Sequence, residues 1–282
     1  GNEDHLSTGL KVIARLTSGN VHISIEKTDT ALEKLFSSVP GIMIHHFSGP
    51  HPAGCVGVQI HHIAPVRNAR DIVWYCSLES AVRIGRLFNT GMPSYETTVA
   101  VAGPAAPVRG HFRTLMGARI SSFLKGNPED PGARYISGNV LTGTSSGYDG
   151  FVGYYDNLVS IISETVREEI LGWLRPGFKK ESASRTFLSR ILPRLPLAID
   201  TNRNGSVRPF VATGIYEQVL PMNIHPVHLI KSILAADIEE MEGLGIYEVA
   251  EEELALCEYI CPSKTDMQAI LRKGIDLMMR AG

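Results

Sequence analysis

The chain has 282 residues, of which 44% are apolar and 20% charged, enough to bury a full core and to divide into about two domains at ~150 residues each. With 27 Lys and Arg against 29 Asp and Glu, the net charge of −2 argues against nucleic-acid and polyanion binding as a general role. Four scattered cysteines, Cys55, Cys76, Cys257 and Cys261, are too few for a disulfide framework and fit a reducing compartment. Leu6, Leu10, Ile13 and Ala14 repeat at helical spacing, and Gly19-Asn20 then leads into the alternating Val21-His22-Ile23-Ser24-Ile25, which reads as helix, turn, strand. Asp29 can cap a short helix through Phe36, and Gly41 to Phe47 reads as a second strand running into the loop Ser48-Gly49-Pro50-His51-Pro52-Ala53-Gly54. A further strand is expected at Ile72 to Cys76, followed by a helix from its N-cap Ser77 to the Asn89-Thr90-Gly91 stop. This alternation predicts α/β packing over residues 1–96, a partial Rossmann-like region. Because Gly1-Asn2 leads almost at once into a helix with no starting strand, the chain is expected to be cut from a longer protein.

From about Thr97 the texture changes. Strands at Thr98 to Ala102 and around Val108 to Leu115, a short helix near Ala118 to Leu124 and a strand at Tyr135 to Leu141 suggest a β-grasp-like domain over residues 97–150. Residues 151–222 read as return strands, Leu158 to Ile162 and Ile170 to Leu174, followed by a basic connecting segment. That segment sets Lys179, Lys180, Arg185, Arg190 and Arg194 against Glu181, and is either a solvated face or a docking surface for an acidic partner. Residues 223–282 predict a helical C-terminal domain. Pro226 opens its first helix, with Ile230, Ile233, Leu234, Ile238 and Met241 on one stripe and Gly243 and Gly245 as the stop. A second helix runs from about Ala250 to Cys261, and Ser263 with Asp266 resembles a capping box opening a third.

The stretch from Leu35 to Val66 holds no Asp, Glu, Lys or Arg, but four prolines, four glycines and five histidines exclude a membrane-spanning helix there. No cationic segment followed by an apolar run opens the chain, so no signal peptide is expected. The histidines His45-His46, His51 and His61-His62 invite a metal, yet adjacent residues in a strand face opposite ways, which favours packing and hydrogen bonding over ligation. Cys257 and Cys261 share a helix face four residues apart and read as core, since a cubane cluster draws four thiolates. No Walker loop, GxGxxG or catalytic triad is visible. The loop from Ser48 to Gly54 follows a strand, where open α/β sheets bind ligands, and Ser48, Gly49, His51 and Gly54 are the candidate binding residues.

That loop, together with Tyr135-Ile136-Ser137-Gly138-Asn139-Val140-Leu141, Arg185-Thr186-Phe187-Leu188-Ser189 and Leu254-Ala255-Leu256-Cys257-Glu258-Tyr259-Ile260-Cys261-Pro262-Ser263-Lys264, resembles the NqrA subunits of the bacterial sodium-translocating NADH:quinone reductases. The resemblance covers essentially the whole chain after Gly1. It implies a multidomain α/β (α+β) protein: a Rossmann-like region, a β-grasp domain of the soluble-ligand-binding type and a helical C-terminal domain. It also implies a peripheral, cytoplasmic-face subunit that serves quinone interaction and assembly with other membrane and cytoplasmic subunits, in a complex that oxidises NADH with ubiquinone and exports sodium. Flavins, iron centres and the NADH site are expected on those other subunits, with no metal, cofactor or catalytic residue on this chain. Ubiquinone is the candidate ligand of Ser48, Gly49, His51 and Gly54, and Lys179, Lys180, Arg185 and Arg190 are the candidate docking residues. Two rivals stand beside this reading: a self-contained flavin- or nucleotide-binding oxidoreductase, and a pure docking module.

Overall fold

The computed structural model describes residues 2–37, 39–164, 176–178, 180, 187–190, 199–203, 206–211 and 214–281. The chain divides into two units, one of Gly1–Ser94, Ala212–Cys257 and Met267–Gly282, the other of Tyr95–Val211 and Glu258–Asp266. The C-terminal helices thus count largely with the first 94 residues.

In the first unit, α1 (Asn2–Leu16) leads to β1 (Val21–Glu26), α2 (Thr30–Ser37) and β2 (Ile42–Phe47). Asp29 Oδ1 accepts from Leu32 N at 3.0 Å and so caps α2, as its position before the helix predicts. The two strands pair in parallel from Val21 opposite Ile42 to Glu26 opposite Phe47, joined by α2 as the crossover. Leu6, Leu10, Ile23, Ile25, Phe36, Val39 and Ala81 form the core beneath them. Helices α1 and α4 (Leu78–Thr90) meet backbone to backbone. A Cβ on Gly9 would fall 1.9 Å from Ala81 O, and one on Gly85 only 1.6 Å from His5 O, so only glycine allows this approach. Ser77 Oγ accepts from Ser80 N at 3.1 Å and Gly91 closes α4 at φ 73°, as the sequence indicates.

Four sequence expectations change here. Ile72 to Cys76 is not a strand: the segment is extended but joins no ladder, and Ile72, Trp74 and Tyr75 are 77%, 91% and 70% exposed. A strand needs a neighbouring edge, and none of the described residues supplies one. His61 and His62 lie in a helix, α3 (Val56–Ile63), whose short apolar run fits either state by pattern alone. The stripe from Ile230 to Met241 is broken in two, α5 (Pro226–Ala235) and α6 (Ile238–Gly243), because Ala236 turns left-handed at φ 56° and Asp237 accepts from Glu240 N at 3.1 Å to start a new helix. Helix α7 (Glu251–Ile260) follows, then α8 (Met267–Ala281). Ser263 does not cap α8; its buried hydroxyl donates to Pro209 O at 2.9 Å, and the helix starts four residues later.

The second unit holds a five-stranded sheet in the order β4-β3-β7-β5-β6, built from β3 (Glu96–Ala102), β4 (Gly110–Leu115), β5 (Ala133–Ser137), β6 (Thr144–Ser145) and β7 (Leu158–Ser163). β3 and β4 form an antiparallel hairpin, and β7 inserts between β3, to which it is parallel, and β5, to which it is antiparallel. β5 ends at Ser137, four residues before the predicted Leu141, because Gly138 (φ 95°) leaves the extended region. A 3₁₀ helix, Ile120–Leu124, stands where a short helix is predicted. Val99, Val101, Ile120, Phe123, Leu124, Tyr135, Val152, Val159 and Ile161 make the core. Ile170 to Leu174, the second predicted return strand, lies outside the described residues.

Candidate functional site

The loop Ser48–Gly54 hangs between the C-terminal end of β2 and the start of α3. Two short turns stiffen it, with Ala53 N donating to Pro50 O at 3.0 Å and Cys55 N to Pro52 O at 2.8 Å. Gly49 adopts φ 140°, a backbone state that a side chain would strain. Ser48, Gly49, His51 and Gly54 are all exposed, so the structure brings the four candidate residues onto one short open loop, anchored by buried Pro52 and Cys55. The His51 ring nitrogen Nδ1 lies 4.0 Å from Cys55 Sγ.

Beneath the loop is a residue that sequence reasoning passed over. Glu253, in the first turn of α7, is 1% exposed. Its Oε2 accepts from Ala250 N at 2.8 Å, closing α7, and its Oε1 is sealed from solvent against Gly57, where a Cβ would stand only 2.3 Å away. Burial pushes the Glu253 carboxyl above the ordinary 4.5, against the opposing pull of the backbone N–H groups of Ala250, Glu253 and Gly57, while the charge of Glu252 adds to the rise. Burial, followed by the charges of Glu252 and Glu253, pushes the Cys55 thiol up to about 12. A thiol raised in this way is a poor nucleophile at neutral pH. The site therefore presents a hydroxyl and an imidazole to solvent above a layer that resists ionisation, an arrangement suited to binding a neutral polar ring.

The remaining histidines are occupied by structure. His61 Nε2 accepts from Asn223 N at 3.0 Å, which places its proton on Nδ1, donated to Glu248 Oε2 at 2.6 Å. His62 Nε2 donates to Pro221 O at 2.8 Å. These bonds tie α3 to the segments on either side of α5 and α6. His45 pairs with His22 at 2.9 Å, where burial and then the His45 charge lower the His22 pKa, and His46 lies 3.5 Å from Glu33. Cys257 and Cys261 are fully buried, with Cys257 Sγ 3.8 Å from Tyr216 O. Among the described residues no three His, Cys, Asp or Glu side chains converge.

Of the basic docking candidates, Lys179 and Arg185 lie outside the described residues. Lys180 Nζ sits 5.9 Å from the Phe187 ring centroid and its carbonyl accepts from Ser189 Oγ, while Arg190 closes the single 3₁₀ turn Leu188–Arg190. No described helix is long and apolar enough to cross a membrane.

The sequence matches known proteins. Residues 1–93 match the family model of the NqrA second alpha/beta domain, and residues 98–147 that of the NQRA C-terminal domain. The chain is 36% identical, over its whole length and 62% of the relative's, to the NqrA subunit of the Na(+)-translocating NADH-quinone reductase of Shewanella amazonensis. The corresponding proteins of Photorhabdus laumondii and Yersinia pestis are 36% and 37% identical over 97% and 94% of this chain and 61% and 58% of their own. The chain spans about 60% of the length of the curated relatives it matches. It belongs to the NqrA family, the subunits of that name in the Na+-translocating NADH-quinone reductases.

Proposed function

We propose that this chain serves, within a Na+-translocating NADH:ubiquinone reductase, as a peripheral, cytoplasmic-face subunit that contacts ubiquinone and docks onto the other subunits, which carry the NADH site, flavins and iron centres. The observation that carries the reading is the exposed, stiffened loop Ser48–Gly54 at the C-terminal end of a parallel strand, the edge at which open α/β sheets bind ligands. The Ser48 hydroxyl and a His51 ring N–H would donate to the two carbonyl oxygens of the quinone head group. Gly49 and Gly54 would let the ring lie against backbone. Glu253 and Cys55 would act from behind, where burial raises both pKa values and so disfavours an anion that would compete with the carbonyls for those donors. The chain itself supplies no electron; in the complex, NADH reduces ubiquinone to ubiquinol and one further proton is taken up.

Titration of the purified chain with a short-chain ubiquinone, followed by intrinsic fluorescence, tests this. Ser48→Ala and His51→Ala should each weaken binding about tenfold, the loss of one hydrogen bond of roughly 1.4 kcal/mol. Unchanged affinity in both variants would remove the loop from the quinone site. A flavin absorption band or stoichiometric iron in the same sample would move the redox centre onto this chain. For docking, charge reversal of Lys179, Lys180, Arg185 and Arg190 to Glu should weaken assembly with the membrane subunits, and unchanged assembly would clear that segment.

A further inference from the structure

We propose that His22 and His45 form a metal site, a two-imidazole chelate for a borderline or soft divalent transition ion such as Zn2+ or Cu2+. The two residues lie on the paired strands β1 and β2, where His22 stands opposite Met43 and Ser24 opposite His45. Paired residues of a parallel ladder share a face, so His22, Ser24, Met43 and His45 lie on one side of the two strands, and Ile23 and Ile25 face the core on the other. On the open side His22 Nδ1 approaches His45 Nε2 to 2.9 Å, with the ring planes tilted by 38°. Two nitrogens bound at ~2.0–2.1 Å to one tetrahedral zinc ion stand roughly 3.3 Å apart, so a parting of about 0.4 Å admits the ion beside the line that joins them.

The pair differs from the other histidines of this unit. His61 and His62 are taken up by Glu248 and by backbone, and His46 lies against Glu33 on the opposite face. His22 and His45 hydrogen-bond only to each other among the described residues, and an exposed bond of this kind, in competition with water, adds little to stability. A ligating nitrogen must be unprotonated, and burial followed by the charge of His45 holds the His22 pKa below 6.5, which keeps that ring neutral at neutral pH. In the free pair one contact nitrogen carries a proton; on binding, that proton moves to the other nitrogen of the same ring, and both contact nitrogens become lone-pair donors. Water fills the remaining positions, and Met43, on the same face and 46% exposed, adds a thioether that favours copper. With two protein ligands rather than the four of a closed structural site, the ion should exchange readily. The site shares no residue with the loop Ser48–Gly54, so this inference and quinone binding can fail separately.

Calorimetric titration of the purified chain with Zn2+ and with Cu2+ at neutral pH tests it. One ion should bind per chain, Cu2+ the more tightly, as the Irving–Williams order requires. His22→Gln and His45→Gln should each weaken binding by at least about tenfold, and His46→Gln should leave it unchanged. A large excess of Mg2+, which takes oxygen ligands, should not compete. Unchanged affinity in either His22→Gln or His45→Gln, an equal loss in His46→Gln, or competition by Mg2+ would overturn the proposal. Substoichiometric Cu2+ gives a second reading that needs no variant: the paramagnetic ion should broaden the ring-proton NMR signals of His22 and His45 before any others. Earlier broadening at His51, or at the neighbouring rings of His225 and His228, would likewise overturn it.

Discussion

The two sheets of this molecule solve the same problem in different ways. In the second unit β7 is paired on both sides and its neighbours are paired in turn, so the backbone is satisfied from within and the core closes on Phe123, Tyr135 and Ile161. In the first unit two parallel strands stand alone among the described residues, and order comes from elsewhere: helices pressed together through Gly9 and Gly85, histidine hydrogen bonds from α3, and a buried carboxyl at Gly57. A sheet that ends after two strands needs specific contacts at points where the other needs only apolar volume.

Four substitutions test that contrast, in order of expected size. Phe123→Ala removes a ring that is 3% exposed from the closed core and should cost about 3–5 kcal/mol, read by urea denaturation with exchange protection lost across β3, β5 and β7. Gly85→Val should cost about 3 kcal/mol although it adds apolar volume, because its Cβ would strike the His5 carbonyl, which is backbone and cannot turn aside. If Gly85→Val is neutral, the two helices can part at little cost and the contrast between the units weakens.

Glu253→Gln has a smaller effect and a defined sign. The folded-state pKa lies above the unfolded 4.5, so as pH rises from that value the unfolded chain gives up its proton before the folded one does. Stability should therefore be greatest at and below the unfolded pKa, and fall as pH climbs toward and through the raised folded value. Urea midpoints of the wild type should decline over that interval, and those of the Gln variant, which keeps an acceptor for Ala250 N, should decline less. Ser77→Ala should cost about 1 kcal/mol by uncapping α4, the smallest of the four.

Much of the local grammar was legible in the residues. Ser77 and Gly91 bracket α4, and Asp29 starts α2, because caps act within one turn and their chemistry is written beside the helix they serve. The loop Ser48–Gly54 was legible for the same reason: a strand, two glycines and two prolines are all local. What escaped depends on distant partners. Ile72 to Cys76 has the composition of a strand, but pairing needs a second segment, and none of the described residues supplies one. Ala236 takes a left-handed turn although alanine favours helix, since the packing of α5 and α6 overrides its propensity. Glu253 reads as one of three acidic residues in a first helical turn, and only its contact with Gly57 sets it apart. A glycine just inside a helix start was the available signal.

The first unit is interrupted in the chain by Tyr95–Val211, and this has a consequence in time. His61 and Glu248 are separated by 187 residues, which a ribosome takes about 10–40 s to add at about 5–20 residues per second. By the end of that interval every described strand of the second sheet has been synthesised, while α3 still waits for the groups that later hold it. The Ser48–Gly54 loop therefore acquires its floor late in biosynthesis, so translational pausing before Glu248 would prolong the period in which a nascent chain exposes it unsupported.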